Sequence, residues 1–283
     1  MDSFALQALN AIVGNPLGAA ALEWALGGGS IKFERDCAFA IGGARANATH
    51  AGKPVPPFTT CFAERGTELV VEQLVGGRFL YVAVSGGIDV PELMQSRSTY
   101  LPAHLGGLSG RMIARGDSLP VGAGSVSAVA EGFNCPPELV PRYESEVVHI
   151  IPGTHADLFG ASDWDVFTNS VYTISPASDR TGYRLKGHTL RNSAGNLPSD
   201  PGCHGAIQVP TDGAPIVLMA DAPTIGGYPK IAVVSDADLP ILGQRSPGET
   251  VRFELITIEQ SQRALKRRGS DLHTIRSSGA ASA

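Results

Sequence analysis

The sequence predicts a mainly β (α+β) protein of two β-barrel-like domains with a few short helices. Three observations point there. The 283 residues hold 34 glycines and 20 prolines but few aromatics. That composition suits many short strands joined by tight turns, and not long helices. Short apolar runs alternate with glycine-bearing turns along most of the chain. Finally, "GGRFLYVAVSGGIDVPEL" from Gly76 aligns, with one gap, to "GGYPKIAVVSDADLPIL" from Gly226, an offset of 150 residues. A duplicated unit gives such an offset, about half the chain. The Arg- and Tyr-bearing loops do not keep phase with this repeat: Arg180 and Tyr183 precede it, whereas Arg97 and Tyr100 follow it.

In chain order, residues 4–13 put Phe4, Leu6, Leu9, Ile12 and Val13 at helical spacing. "AALEWAL", "SIKFE" and "CAFAIGG" follow as short strands, the first two parted by Gly27, Gly28 and Gly29. "ELVVEQLV" and "RFLYVAVSGG" are expected as two more strands, and "RMIARGDSLPVG" as the last strand of the first domain. "EGFNCPPELVPRY" carries three prolines and reads as a linker. The domains are therefore expected at 1–140 and 141–268. In the second, "SEVVHIIPG", "SVYTI", "AIQVP", "PIVLMAD", "KIAVVSD" and "TVRFELI" read as strands. A short helix is expected around Phe159, Trp164 and Phe167, and "TIEQSQRALKRR" is helical in character. Residues 269–283 are rich in Ser, Ala and Gly and are expected to be a disordered tail.

A chain of this length buries about three quarters of its unfolded surface and needs no staple. The formal net charge of −5 argues against nucleic acid as a partner. The basic run "RALKRR" suits the negative pole of a helix end. No apolar stretch approaches the ~20 residues of a membrane span, and the N-terminus lacks signal-peptide features. A cytoplasmic protein is expected. Cys37, Cys61, Cys135 and Cys203 show no C-x-x-C spacing and read as buried thiols. No metal site is expected, since His149 and His155 are six apart and Cys203 and His204 are adjacent.

Phosphate-loop and nucleophile-elbow motifs are missing; "GLSGR" fails at its last position, and "GGGSIK" reads as a turn entering a strand. Two stretches carry candidate chemistry. "SVYTISPASDRTGYRLKG" packs Asp179, Arg180, Tyr183 and Arg184 around a bend at Gly182. The two arginines are expected to diverge, one pairing with Asp179 or Asp221. Arginine forks grip carboxylates and phosphates. In "PIVLMADAPTIGGYPKIAVV", two apolar strands flank a loop with Asp221, Thr224, Gly226, Gly227 and Tyr228. Glycines there permit positive φ and an amide nest for an anion.

Long motifs carry a family resemblance. "SPASDRTGYRLKG", "GAIQVPTDGAPIVLMADAPTIGGYPKIAVV" and "DLPILGQRSPGETVRF" resemble the carboxyltransferase-like proteins called Kip antagonist, allophanate hydrolase subunit 2 and the C subunit of bacterial 5-oxoprolinase. So do "AIGGARANA", "VSGGIDVPELMQSRSTY" and "GGLSGRMIARGDSL" in the first half. The usual N-terminal segment of that family is not seen ahead of the Met-Asp. The resemblance implies two cyclophilin-like β-barrel domains. It implies a subunit of an ATP-dependent 5-oxoprolinase, or of a related carboxyltransferase-type complex, acting on a small amide or lactam. The alternative it implies is a regulatory protein of the Kip antagonist type that sequesters a partner; a catalytically inert relic is a third reading.

On the enzyme reading, Arg180, Tyr183, Asp179 and Tyr228 are the candidate catalytic groups. Arg97, Arg184, Gln208, Asp221, Thr224, Gly226 and Gly227 are candidates for substrate binding. Such groups would orient the amide and stabilise charge growing on its oxygen. No biotin-attachment Met-Lys-Met is present, so ATP or carboxybiotin would arrive through partner subunits. The expected partners are a subunit-B-like (Kip inhibitor-like) protein and a LamB/YcsF-like subunit, with Arg97 and Tyr100 facing the first, and self-association where apolar surface is left bare.

Overall fold

The structure is a computed structural model that describes residues 1–25, 27–124, 129–192 and 197–279. The chain divides into two compact units. One holds Ser3–Val140 together with the chain from Ser270; the other holds Pro141–Gly269 with Met1–Asp2.

The first unit begins with α1 (Ser3–Ile12), followed by β1 (Leu22–Ala25), β2 (Gly29–Lys32), β3 (Cys37–His50), β4 (Lys53–Pro54), β5 (Cys61–Ala63) and β6 (Glu68–Val84). The sheet runs β1-β6-β3-β4, with β2 also on β6 and β5 also on β3. Its axis is the antiparallel pairing of β3 with β6, in which Phe39 faces Val84 and Ile41 faces Val82. These residues share the core with Leu69, Val71 and Leu80. Leu9 and Ile12 of α1 are fully buried, as the helical spacing required.

"ELVVEQLV" and "RFLYVAVSGG" were expected as two strands and form one, the 17-residue β6. The glycines between them bend the strand and do not break it. The β3–β6 register shifts around Arg45, and a Cβ on Gly76 would stand 2.8 Å from the Arg45 guanidinium. Such a bulge adds twist while pairing continues on either side. A second correction concerns "RMIARGDSLPVG". It is a loop, because Arg111 grips Asp117 at 2.7 and 2.8 Å and Asp117 also accepts the Ala114 amide at 2.7 Å. These bonds hold the Asp117 carboxyl down to about 2. Residues 131–135, read as part of a linker, are pinned to the sheet. The Thr60 amide donates to Phe133 O at 2.8 Å, and the Cys135 amide donates to Phe58 O at 2.9 Å.

The second unit contains β7 (Val147–Pro152), α2 (Ala161–Asn169), β8 (Tyr172–Ile174), β9 (Gly182–Lys186), β10 (Asp200–Pro201), β11 (Ala206–Gln208), β12 (Ile216–Leu218), β13 (Ile225–Gly226), β14 (Lys230–Val234), α3 (Leu239–Gly243), β15 (Thr250–Leu255) and α4 (Ile258–Gly279), whose second half belongs to the first unit. Seven strands close a barrel in the order β11-β12-β9-β8-β15-β7-β14, and β10 with β13 makes a separate ribbon. Ile150, Tyr172, Ile174, Tyr183, Ile207 and Val217 are fully buried. Phe167 of α2 stacks on Phe253 at 5.0 Å between ring centres and meets Tyr172 edge-on at 5.8 Å. Burial pushes the Tyr172 phenol up to about 12. Among the described residues the protein is thus mostly β, with a closed seven-strand barrel and few helices.

The tail is the third correction. Residues 269–279 are not a disordered tail but continue α4 to Gly279; residues 280–283 of the expected tail lie outside the described residues. Leu272, Ile275 and Gly279 are buried and sit three and four residues apart, one face of a helix. A side chain at Gly279 would press on the Phe133 ring at 3.2 Å, and Gly279 O accepts the Ala130 amide at 3.2 Å. Of the thiols, Cys37 and Cys135 are buried, Cys61 is half-buried, and Cys203 is exposed, against expectation. Burial pushes Cys135 up to about 11. Among the described residues no helix is long and apolar enough to cross a membrane.

If the tail helix docks as described, Ile275→Ala costs about 2–5 kcal/mol of stability, the range for emptying a buried aliphatic site. Urea denaturation followed by tryptophan fluorescence and circular dichroism checks this. An unchanged midpoint would return the tail to the disordered class.

Candidate functional site

In the second unit, the strap that precedes β11 and the glycine loop that precedes β14 meet in the β10–β13 ribbon. Asp200 pairs with Gly226 and Pro201 with Ile225. Leu197 N donates to Gly227 O at 2.7 Å, and Gly202 N donates to Thr224 O at 2.8 Å. Neither Gly226 nor Gly227 takes a left-handed φ. The expected amide nest, which needs one left-handed residue, is therefore not formed. The glycines serve close approach. A Cβ on Gly226 would lie 2.8 Å from Gln208 Nε2, and one on Gly227 would lie 2.8 Å from Leu197 O. Gln208, itself buried, sits at a bulge where β11 shifts register against β14, opposite Lys230.

Arg180 pairs with Asp221, not Asp179. Its Nε and Nη2 reach the two carboxylate oxygens at 2.8 and 3.1 Å. Asp179 is committed elsewhere: Oδ1 accepts the amides of Thr181 at 2.8 Å and Gly182 at 3.2 Å. That is an Asx turn, which folds the approach to β9. Arg184 is exposed, two strand positions from buried Gly182 and on the face opposite Tyr183.

Tyr183 must be withdrawn as a catalytic candidate. It is fully buried, and its hydroxyl donates to Gly243 O at 2.9 Å. Strand alternation explains the error. Once β9 starts at Gly182, odd positions turn to the core. Tyr228 is 39% exposed, and Thr224 is exposed. In the first unit, Arg97 donates from Nε to Val90 O at 2.9 Å and sits 3.4 and 3.5 Å from Glu92 and Asp89. Tyr100 is exposed and exchanges backbone bonds with Leu105.

The most charged feature of the ribbon was not among the candidates. Lys230, 3% exposed, gives its ammonium to Asp200 Oδ2 and to Pro201 O. Its backbone is tied to His155 in both directions. His155 N donates to Lys230 O at 3.2 Å, and Lys230 N donates to His155 Nδ1 at 3.3 Å. Asp200 and His155 both open onto a groove of about 500 Å³, walled further by Asp157, Leu158, Leu197 and Ser199. The hydrogen bond from Lys230 holds the Asp200 carboxyl below the usual aspartate range. A signal was present in the sequence: a lysine opening the otherwise apolar run "KIAVV" is anomalous, since buried lysines occur almost only when paired. A larger groove of about 670 Å³ lies by Trp164, Thr168, Arg252 and Glu254; the paired buried lysine makes the smaller one the better site.

The comparisons bear on the family and the fold. A family described as carboxyltransferase domain, subdomain A and B, matches residues 1–255. The C subunit of 5-oxoprolinase from Escherichia coli is 36% identical over 93% of this chain and 84% of its own length. Its namesake from Haemophilus influenzae is 33% identical over 98% of this chain and 88% of its own length. The crystal structure of Kluyveromyces lactis urea carboxylase superposes with a TM-score of 0.89 at 27% identity, covering 100% of this chain but 27% of that one.

Two outcomes are expected. Tyr183→Phe removes one buried hydrogen bond and costs about 0.5–1.5 kcal/mol of stability. Turnover of the assembled enzyme stays as it was; lost turnover at an unchanged melting temperature would restore Tyr183 to the site. For Asp200, the depressed folded pKa means its contribution to stability is present above about pH 4, the unfolded aspartate value. It is lost as pH falls through the lower folded value. A carbon-detected NMR titration of the Asp200 carboxyl checks this, and a midpoint at or above that of free aspartate contradicts the ion pair.

Proposed function

Since this chain belongs to the carboxyltransferase domain family of subdomains A and B, we propose that it is one subunit of an ATP-dependent complex that opens a small lactam of the 5-oxoproline kind, or of a related carboxyltransferase-type complex acting on a small amide. The observation that carries this reading is the Lys230–Asp200–His155 cluster. His155 and Asp200 line one groove of a carboxyltransferase-type fold, and the buried Lys230 bonds to both. The long coverage of two proteins named for 5-oxoprolinase favours lactam opening. Those enzyme names also favour catalysis over sequestration of a partner.

In this reading, Lys230 is a positioning residue that keeps Asp200 ionised and in place. The Arg180–Asp221 fork braces the loop that leads into β13. Gln208, Gly226, Gly227, Thr224 and Tyr228 form the flank of the site. The other subunits dock elsewhere. Residues 93–113 of the first unit expose several large apolar side chains, Met94 at 89% and Met112 at 72%, with Ile113, Leu105 and Tyr100 also exposed. Apolar side chains shown so openly mark an interaction surface. A subunit-B-like protein is its proposed partner, with Arg97 at its margin, in a cytoplasmic complex.

The test is to mix the purified chain with its subunit-B-like and LamB/YcsF-like partners and assay 5-oxoproline opening with ATP. Turnover is expected only from the mixture, with light scattering showing a joint species. A chain that ignores these partners, or turns over 5-oxoproline alone, overturns the proposal.

A further inference from the structure

We propose that the groove walled by α2 and β15 binds a free zwitterion of the α-amino acid class, with Arg252 taking its carboxylate and Glu254 its ammonium. This goes beyond the functional proposal above and does not rest on it. The groove, of about 670 Å³, shares no lining residue with the one at His155 and Asp200.

The strand sets the two charges side by side. β15 buries Val251 and Phe253 and exposes Arg252 and Glu254. Alternation therefore turns both charged side chains to the same outer face. Two strand positions put their Cα atoms about 7 Å apart, so one small ligand can span both head groups. Across the parallel pairing with β7, Arg252 stands opposite Val147 and Glu254 opposite His149.

The charges around them are committed. Glu146 accepts the Thr250 hydroxyl at 2.8 Å, and Glu249 accepts the Ser246 amide at 2.6 Å. Asp163 accepts the amides of Gly160 and Arg191, each at 3.1 Å. Asp165 accepts the Asn169 side chain at 2.9 Å. His149 is bonded through Nδ1 to Asp238 at 2.6 Å, not to Glu254. Among the described residues, the side chains of Arg252 and Glu254 make no ion pair or hydrogen bond with any other group, and both line the groove.

That pairing of free charges selects the ligand. Asp165 lines the same groove, so a simple anion reaching Arg252 also meets two carboxylates and is repelled. A simple amine satisfies Glu254 but leaves the guanidinium to give up water for nothing. A molecule carrying both charges satisfies both, and its carboxylate suits the fork of the guanidinium. The rest of the wall is apolar. Leu255 is 48% exposed there. The Trp164 indole is held in place, with Nε1 donating to Ala156 O at 3.4 Å and its ring edge-on to Phe167 at 6.3 Å. An indole face also attracts an ammonium. The ligand is therefore an amino acid with an apolar side chain, and the groove is of the size that small-molecule sites have.

Trp164 and Trp24 are the two tryptophans of the chain, so Trp24→Phe leaves the groove with the sole indole reporter. The probes are L-leucine, isocaproate, which lacks the ammonium, and isoamylamine, which lacks the carboxylate. Leucine is expected to give a saturable change in Trp164 fluorescence, with the other two about tenfold or more weaker. Arg252→Gln is expected to erase the advantage of leucine over isoamylamine, and Glu254→Gln to remove most of its advantage over isocaproate. Both residues are exposed, so neither variant should disturb the fold. If Trp24→Phe fails to fold, titration calorimetry of the three probes on the unmodified chain decides instead. No saturable response to leucine, equal response to all three probes, or an order unchanged in both variants overturns the site.

Discussion

A buried ammonium ion is the constraint around which the second unit is arranged. Taking a lysine head group out of water costs several kcal/mol unless it is paired and hydrogen-bonded. Lys230 opens β14, with four further strand positions behind it, so its stem cannot swing out to solvent without undoing the strand. The partners have to come to it. Asp200 and Pro201 do so, and that brings the whole 197–202 strap down onto the glycine loop. The turn at 154–158 is drawn in by the same residue through its backbone. Three segments far apart in sequence meet at one residue, and the groove is the space they leave.

Two glycines of this chain do their work by being small. Gly76 makes room for the Arg45 guanidinium, and Gly226 lets the Gln208 amide lie against the backbone. At both places any Cβ would stand within 3.0 Å of a neighbour. Sequence reasoning assigned Gly226 and Gly227 to positive φ because that is glycine's more familiar use. The two uses have opposite consequences. A left-handed turn aims amides at a ligand; close approach brings a polar side chain and a strap of backbone together and builds the wall of a site.

Polar groups at the β9 end illustrate how a local cluster in sequence separates in space. Asp179, Arg180, Tyr183 and Arg184 lie within six residues. Their destinations are a turn, an ion pair with Asp221, the barrel core and the solvent. Strand alternation sends neighbours to opposite faces, so density of functional side chains along a strand is poor evidence for a shared site. The groups that do converge, His155, Asp200 and Lys230, are spread over 76 residues of sequence.

The β character, the first helix, most strands of the second half and the family were all legible in the residues, because they depend on short-range periodicity and on long ordered motifs. The stripe of Leu272, Ile275 and Gly279 was there as well, concealed by the composition around it. Four other features needed the packed chain: that the Gly76 break is a bend, that Arg180 chooses Asp221, that Tyr183 points inward, and that Lys230 is buried and paired. Each of these turns on which distant segment lies across from a given residue. Strand register and the placing of a counterion for a buried charge are set by the free energy of the whole packed unit, and no window of neighbouring residues contains that information.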